Sequence, residues 1–309
     1  MKWRLKTILF KPETTEGTDP TPTGAANAME VENMQINPIA GRVIQRSLDL
    51  PYLGARKDDL VDKHVVVSFD VGVAGGGAAG TAPPWGVLHR CCGFGEVIDD
   101  GVDVRYSPVS SAHESGGCYV YIDGVLHKSA GGRGNVSVRM PASDYPRLSY
   151  RFLGLFRPVT AAASPAVTMT AWQPVLPVGL VNTPTFSLAG HAARMRELMV
   201  DIGNDVQGRF LVGYEGIRIV DRAATGRVNI EAPPLATKDY FALAAATPRG
   251  SGVLQCIHGT TAGNIVEIGA PVAEIGQPEY TNDQGEVHLN IPLGIKPDAG
   301  NDELTFIVR

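Results

Sequence analysis

The stretch Cys118-Tyr119-Val120-Tyr121-Ile122-Asp123-Gly124-Val125-Leu126-His127-Lys128 decides the fold class. Two runs of β-favouring residues meet at Asp123-Gly124, the dipeptide of a tight type I′ hairpin whose central residues both need positive φ. The alternation of apolar and polar residues that marks half-buried strands recurs at Val65 to Val73, Val102 to Tyr106, Asn135 to Met140 and Arg147 to Phe156. It continues through Leu198 to Ile202, Ile217 to Val220, Arg227 to Glu231, Val253 to Ile257, Asn264 to Ile268, Val287 to Leu293 and Leu304 to Val308. Asp283-Gln284-Gly285 reads as another turn. Helical signals are few. Pro83-Pro84 leads into Trp85, Leu88 and Cys92 and is stopped by Gly93. Thr237 stands as N-cap to Tyr240, Phe241, Leu243 and Ala244, stopped by Pro248. Gly190 to Leu198 is a third helix candidate. The expectation is a mainly β chain with isolated helices.

Around the two main helices the sequence repeats itself. Each follows a strand and a Pro-bearing loop, and each carries an aromatic with Leu three residues later, Trp85/Leu88 and Tyr240/Leu243. Upstream, Ile36-Asn37 leading to Gly41-Arg42-Val43 is echoed by Ile202-Gly203-Asn204 leading to Gly208-Arg209-Phe210. Downstream, Leu153-Gly154-Leu155-Phe156-Arg157-Pro158 is echoed by Leu293-Gly294-Ile295-Lys296-Pro297. Echoes in one order point to a duplicated, domain-sized unit. The expected organisation is an N-terminal arm at 1–24, a first unit at 25–160, an Ala/Pro/Thr-rich connector at 161–184 and a second unit at 185–309. A polar excursion, Arg46 to Lys63, interrupts the first unit; its counterpart near Val212 to Asp221 is shorter.

The chain has 309 residues and a net charge of −5, from 27 Lys and Arg against 32 Asp and Glu, which excludes a strongly basic grip on nucleic acid. Charged residues are 19%, below the roughly 25% usual in soluble domains, and this implies surface covered between subunits. Thr7-Ile8-Leu9-Phe10 is too short for a signal-peptide core, and no apolar run approaches the ~18 residues of a membrane span. The four cysteines show no framework spacing and read as reduced small hydrophobes.

Gly75-Gly76-Gly77-Ala78-Ala79-Gly80 is a literal G-x-G-x-x-G after a strand, with Asp99 and Asp100 downstream, the template of a nucleotide-dependent oxidoreductase. Thr81-Ala82-Pro83-Pro84 separates it from the helix, however, and proline removes donors that a pyrophosphate would need; a flexible Gly/Ala loop is the better reading. The seven histidines are scattered without ligand spacing, so no metal or other cofactor is expected. His113-Glu114-Ser115 beside Ser110-Ser111 lacks any group to orient a base. No reaction centre emerges, and the chain is expected not to be an enzyme.

Pro22-Thr23-Gly24-Ala25-Ala26-Asn27-Ala28-Met29-Glu30-Val31-Glu32-Asn33, Pro51-Tyr52-Leu53-Gly54-Ala55, Tyr121 to Lys128, Phe186-Ser187-Leu188, Ile230-Glu231-Ala232-Pro233 and Gly300-Asn301-Asp302-Glu303 together resemble the major tail tube proteins of long-tailed bacteriophages. The resemblance implies two tandem tail-tube-type β-barrel or sandwich units, each flanked by one helix. It also implies a structural virion protein, made in the bacterial cytoplasm, whose rings stack into the hollow tail conduit for DNA. With two units per chain, the ring would be a trimer with pseudo-sixfold symmetry. Implied partners are further copies of itself, a tape measure protein and viral DNA in the lumen, and terminator and distal tail proteins at the tube ends. The alternatives are a tail terminator, baseplate hub or decoration protein. Trp3, Leu5, Tyr52, Leu53 and Trp172 are the expected inter-subunit anchors, because aromatic side chains lead interface hot spots.

Overall fold

The computed structural model describes residues 2–309. The first half lays down β1 (Lys6–Pro12), α1 (Gly24–Asn27), β2 (Ala28–Met29), β3 (Glu32–Gln45), β4 (Asp58–Gly72), α2 (Gly86–Arg90) and β5 (Phe94–Asp99). It continues with β6 (Asp103–Pro108), β7 (Gly116–Ile122), β8 (Val125–Pro141) and β9 (Arg147–Ala161). Residues 162–184 hold no helix or strand. Then follow β10 (Thr185–Leu188), β11 (His191–Ala192), β12 (Met195–Asp201), β13 (Asn204–Leu211), β14 (Tyr214–Arg222) and β15 (Thr225–Glu231). The chain ends with α3 (Tyr240–Ala245), β16 (Ser251–His258), β17 (Val266–Ile275), β18 (Glu279–Asp283), β19 (Glu286–Lys296) and β20 (Thr305–Val308). The fold is mainly β, as its alternation requires.

One order of antiparallel pairings occurs twice. In the first half β2 joins β1, β1 joins β7, and β7–β8–β9–β4–β3 follow. In the second half β11 joins β10, β10 joins β16, and β16–β17–β19–β15–β12 follow. Here β12 with β13 stands where β3 does, β14 with β15 where β4 does, and β17 with β18 where β8 does. The first half alone carries the β5–β6 hairpin, which pairs with the C-terminal β20. Two turns match their sequence signals. Asp123 and Gly124 have φ of 40° and 94° between paired Ile122 and Val125, and Gln284 and Gly285 have φ of 55° and 95° between paired Asp283 and Glu286.

The halves also meet each other. β8 pairs with β12, Ser137 to Pro141 facing Asp201 to Glu197. The β13–β14 hairpin lies against the first half, where the buried Arg133 donates to the Ile217 carbonyl and His64 comes within 6.2 Å of Phe210. One apolar core runs through both halves without a break.

Three local expectations change. Ile8, Leu9 and Phe10 are each 1% exposed, so β1 is a core strand and not part of a free arm, while Lys2 to Leu5 before it are exposed. Its two faces are covered separately, Ile8 and Phe10 by the main core, Leu9 by Tyr119, Tyr121 and Leu126. Gly190 to Leu198 is not helical: it forms β11 and the start of β12, because the alternation at Leu198 and Val200 finds partners on both sides, β8 and β15. The second helix starts at Tyr240, capped by Asp239 and not Thr237, the Asp239 carboxylate accepting from the Ala242 N–H at 2.8 Å.

Helix α2 plants an aromatic cluster at the centre of the first half. Trp85, 1% exposed, donates its indole N–H to the Ala74 carbonyl at 2.8 Å and packs against His89, Tyr106 and Phe306. Tyr240, leading α3, is likewise buried and donates to the Leu188 carbonyl at 3.2 Å. Burial holds His89 neutral and pushes its pKa down to about 3, with Nδ1 on the Tyr150 hydroxyl at 2.7 Å. A histidine with a depressed folded pKa contributes stability above its unfolded value, and loses it as pH falls from about 6.5 towards 3. The expected cost is about 1 kcal/mol per pH unit in that window. Thermal melts of the protein and of His89→Gln between pH 7 and pH 4 check this: the variant should be less stable at pH 7 and less acid-sensitive.

All four cysteines are free and buried, and burial pushes the Cys118 and Cys256 thiols up to about 12, so they act as small hydrophobes. Among the described residues, no helix is long and apolar enough to cross a membrane.

Candidate assembly surface

The enzyme-like motif is consumed by the fold. The Gly75 N–H donates to Asn264 Oδ1 at 2.6 Å and the Gly77 N–H to the Gly263 carbonyl at 2.8 Å. The loop thus docks on the β16–β17 connection of the second half and offers those donors to no phosphate. A Cβ on Gly75 would stand 2.1 Å from the Gly263 carbonyl oxygen. Gly75→Val should therefore cost about 2–3 kcal/mol through overpacking, read as a lower Tm, while a dinucleotide titration of the unaltered protein gives no saturable heat. His113 is spent on the Val109 carbonyl at 2.9 Å and Glu114 on Arg90 at 2.8 Å. Among the described residues no group of His, Cys, Asp and Glu is placed to hold a metal ion.

What remains are surfaces. The first is a polar sheet face. The strands β3–β4–β9–β8–β12–β15–β19–β18 form one continuous run. One face buries Phe69, Val71, Val138, Leu148, Tyr150, Val200 and Ile230 in the core. Because side chains alternate across a strand, the other face carries the carboxylates of Asp70, Glu197, Asp201, Glu231, Glu279 and Asp283. It also carries the guanidinium groups of Arg139, Arg147, Arg151 and Arg227. Carboxylates hold most of these cations: Arg139 lies 2.6 Å from Glu197, Arg227 3.7 Å from Glu197, and Arg147 3.1 Å from both Glu32 and Asp144. The face is wide, polar and slightly acidic.

The second feature is the pair of strands that end this run. Among the described residues β3 hydrogen-bonds to β4 alone and β18 to β19 alone, so each leaves one margin of backbone donors and acceptors without a strand. Lys6 Nζ, 3.3 Å above the Trp3 ring, donates to the Met34 carbonyl on the β3 margin at 3.2 Å. A lysine on a bare edge discourages indiscriminate pairing.

The third is a protruding apolar segment at the far end of the β3–β4 hairpin. Tyr52 is 63% exposed and Leu53 fully so, with Leu48 and Leu50 exposed beside them. Arg56 closes the segment on itself, donating to the Gly54 carbonyl at 2.8 Å with its guanidinium 5.7 Å from the Tyr52 ring. Exposed apolar residues gathered at one place mark contact sites. Arg56 carried no signal in the sequence, since its role comes from folding back within a loop.

The five anchor candidates fall in four places. Tyr52 and Leu53 lie on this segment. Trp3, 68% exposed, lies beside the β3 margin, and Leu5, 52% exposed, lies instead by the β7–β8 turn, its carbonyl accepting from the Asp123 N–H. Trp172 is half-buried against the main core of its own chain, its indole N–H donating to the Ala28 carbonyl at 3.3 Å. The sequence missed Ile39, Val43, Ile44 and Tyr280, all exposed; period-two alternation marks such residues as inward-facing but cannot tell a core within the chain from one completed by another chain.

A family model described as a phage tail tube protein matches residues 3–293. No curated protein matches the chain.

Proposed function

The chain belongs to the phage tail tube protein family, a structural family of the virion tail, and from that premise we propose that it is the repeating subunit of the tube, with two tube units per chain closing a ring as a trimer. The single observation that carries the reading is the doubled order of pairings ending in two unsatisfied strand margins, β3 and β18. Closing a sheet on itself removes such margins, and a chain with two pseudo-equivalent units fills a sixfold ring three copies at a time.

In this reading the first unit takes in β1 and runs to residue 160, the second spans 185–309, the two are fused through the β8–β12 pairing, and 161–184 is a surface connector. The polar face of the long sheet lines the lumen. Its cations are largely held by carboxylates, so it offers DNA few sites for the counterion release that drives phosphate binding, and the genome slides. The 46–57 segment, with Tyr52 and Leu53, meets the next ring in the stack, and Trp3 flanks the ring seam. The tube encloses tape measure protein and then DNA, and terminator and distal tail proteins cap its ends. Synthesis takes place in the host cytoplasm.

Negative-stain microscopy of the purified protein tests this. Rings with threefold or pseudo-sixfold symmetry that stack into tubes are expected. Single rings that never stack would favour a terminator or hub, and a monomer at every concentration would refute the proposal.

A further inference from the structure

The junction between the two halves of one chain has a copy-to-copy counterpart, and the strand pairings specify its register. Within the first half Tyr150 faces Phe69 and Leu148 faces Val71; within the second, Ile291 faces Val228 and Leu289 faces Ile230. These four pairs superpose one half on the other. Val138 faces Leu148 as Tyr280 faces Leu289, so Tyr280 on β18 holds the place of Val138 on β8. Gln35 faces Ser68, one residue before Phe69, as Met199 faces Arg227, one before Val228. Met34, Gln35 and Ile36 on β3 therefore hold the places of Leu198, Met199 and Val200 on β12, so the sequence echo of Ile36 with Ile202 is two residues out of the structural register.

Inside the chain Val138 faces Val200, Arg139 faces Met199 and Met140 faces Leu198. Building on the tube reading, we propose that a second copy of this chain completes the two bare margins by the same rule: β18 of one copy pairs antiparallel with β3 of the next, Tyr280 facing Ile36, Thr281 facing Gln35 and Asn282 facing Met34.

Burial agrees with an unfinished junction. Val138 and Val200 are each 1% exposed where the internal junction covers them, whereas Tyr280 is 67% exposed. An open groove of about 600 Å³ lies along the β3 margin, with Trp3, Arg4, Lys6 and Gln35 among the residues lining it. The side chain of Arg4 has no partner there, and the incoming strand carries Glu279, also unpartnered among the described residues, so the charges are complementary. Lys6 on the Met34 carbonyl keeps the margin covered until the N–H of Asn282 replaces it. The β13–β14 hairpin that lies over the first half has its own counterpart in the distal β3–β4 hairpin, whose exposed Ile39, Val43 and Ile44 would lie over the neighbouring copy's second half.

Cross-linking tests the register. Met34 turns its carbonyl away from β4, so it exchanges hydrogen bonds with the incoming strand, and Gln35–Thr281 is the non-hydrogen-bonded pair, with Cα atoms about 4.5 Å apart, within disulfide reach. In the full chain, Gln35→Cys with Thr281→Cys should on oxidation convert the monomer band into a covalent trimer on a non-reducing gel; the native cysteines are buried and silent. Gln35→Cys with Glu279→Cys, two residues out of register, should give about tenfold less product. As a second arm needing no disulfide, Tyr280→Asp should lower the monomer's Tm by only a few degrees, through loss of its ring contact with Phe241, and lose the rings. Rings that assemble from the first double variant yet stay uncross-linked, equal cross-linking by the shifted pair, or intact rings from Tyr280→Asp would each overturn the register while leaving the tube reading standing. Failure of the unaltered protein to form rings would instead sink that reading.

Discussion

Replacing residues 47–55 by a short Gly-Ser link is expected to abolish tubes while leaving rings. The segment projects beyond the β3–β4 hairpin, exposes Leu48, Leu50, Tyr52 and Leu53, and is held in shape by Arg56 rather than by the body of the fold. Its removal therefore takes no side chain from the core, and the Tm of the subunit should stay within a few degrees of the parent. Contact between rings, in contrast, loses a cluster of aromatic and aliphatic anchors, each worth about 2 kcal/mol or more when it fills a pocket, and the loss repeats around every ring. Microscopy should show isolated rings, and sedimentation should show no species larger than a ring. Tubes of ordinary length from this variant would move the stacking contact elsewhere on the molecule. The narrower variant Tyr52→Ala with Leu53→Ala should shift the protein concentration needed for tubes upward without abolishing them.

Trp85→Ala should have the largest effect on stability. The side chain is 1% exposed, its N–H is satisfied by the Ala74 carbonyl, and its ring contacts α2, β6 and β20 together. Deleting a buried indole leaves a cavity and costs about 3–5 kcal/mol, which for a chain of this size lowers Tm by roughly 5–8 °C. Because Phe306 on β20 belongs to the second half of the sequence and Trp85 to the first, the variant should also loosen the C-terminal strand. Faster amide exchange at 305–308 than in β16 would show this. Trp172→Ala is the contrast: half-buried at the edge of the same core, it should cost about 1–2 kcal/mol in the isolated subunit.

Deleting residues 1–20 would damage the subunit itself and so cannot report on stacking. Read as a sequence, Met1 to Phe10 looks detachable, a short apolar run followed by a polar, Pro-rich stretch. In the fold that run is β1, seated between β2 and β7, and its loss would remove Ile8, Leu9 and Phe10 from two cores at once. Three consecutive buried apolar residues break the alternation expected of a strand with one wet face. They are intelligible only once both faces are seen to be covered, the second by residues 119–126.

Strand identity over most of the chain, the Asp123-Gly124 and Gln284-Gly285 turns and the two aromatic-led helices are all local matters. Alternation states which side chains share a face, and a turn needing positive φ names its residues within four positions, so the amino-acid order alone was enough for them. Partnership is a different kind of fact. Whether Gly190 to Leu198 became helix or strand depended on β8 and β15 offering it hydrogen bonds, and whether Gly75 to Gly80 stayed free depended on Gly263 and Asn264, nearly two hundred residues away. The same holds for the margins of β3 and β18. Period two assigns Ile36 and Tyr280 to an inward face, where Ile36 packs against the main core and Tyr280 against Phe241, but only the assembled sheet reveals that no strand of the chain continues beside them, since a hydrogen-bonding edge is defined by the strand that is missing beside it.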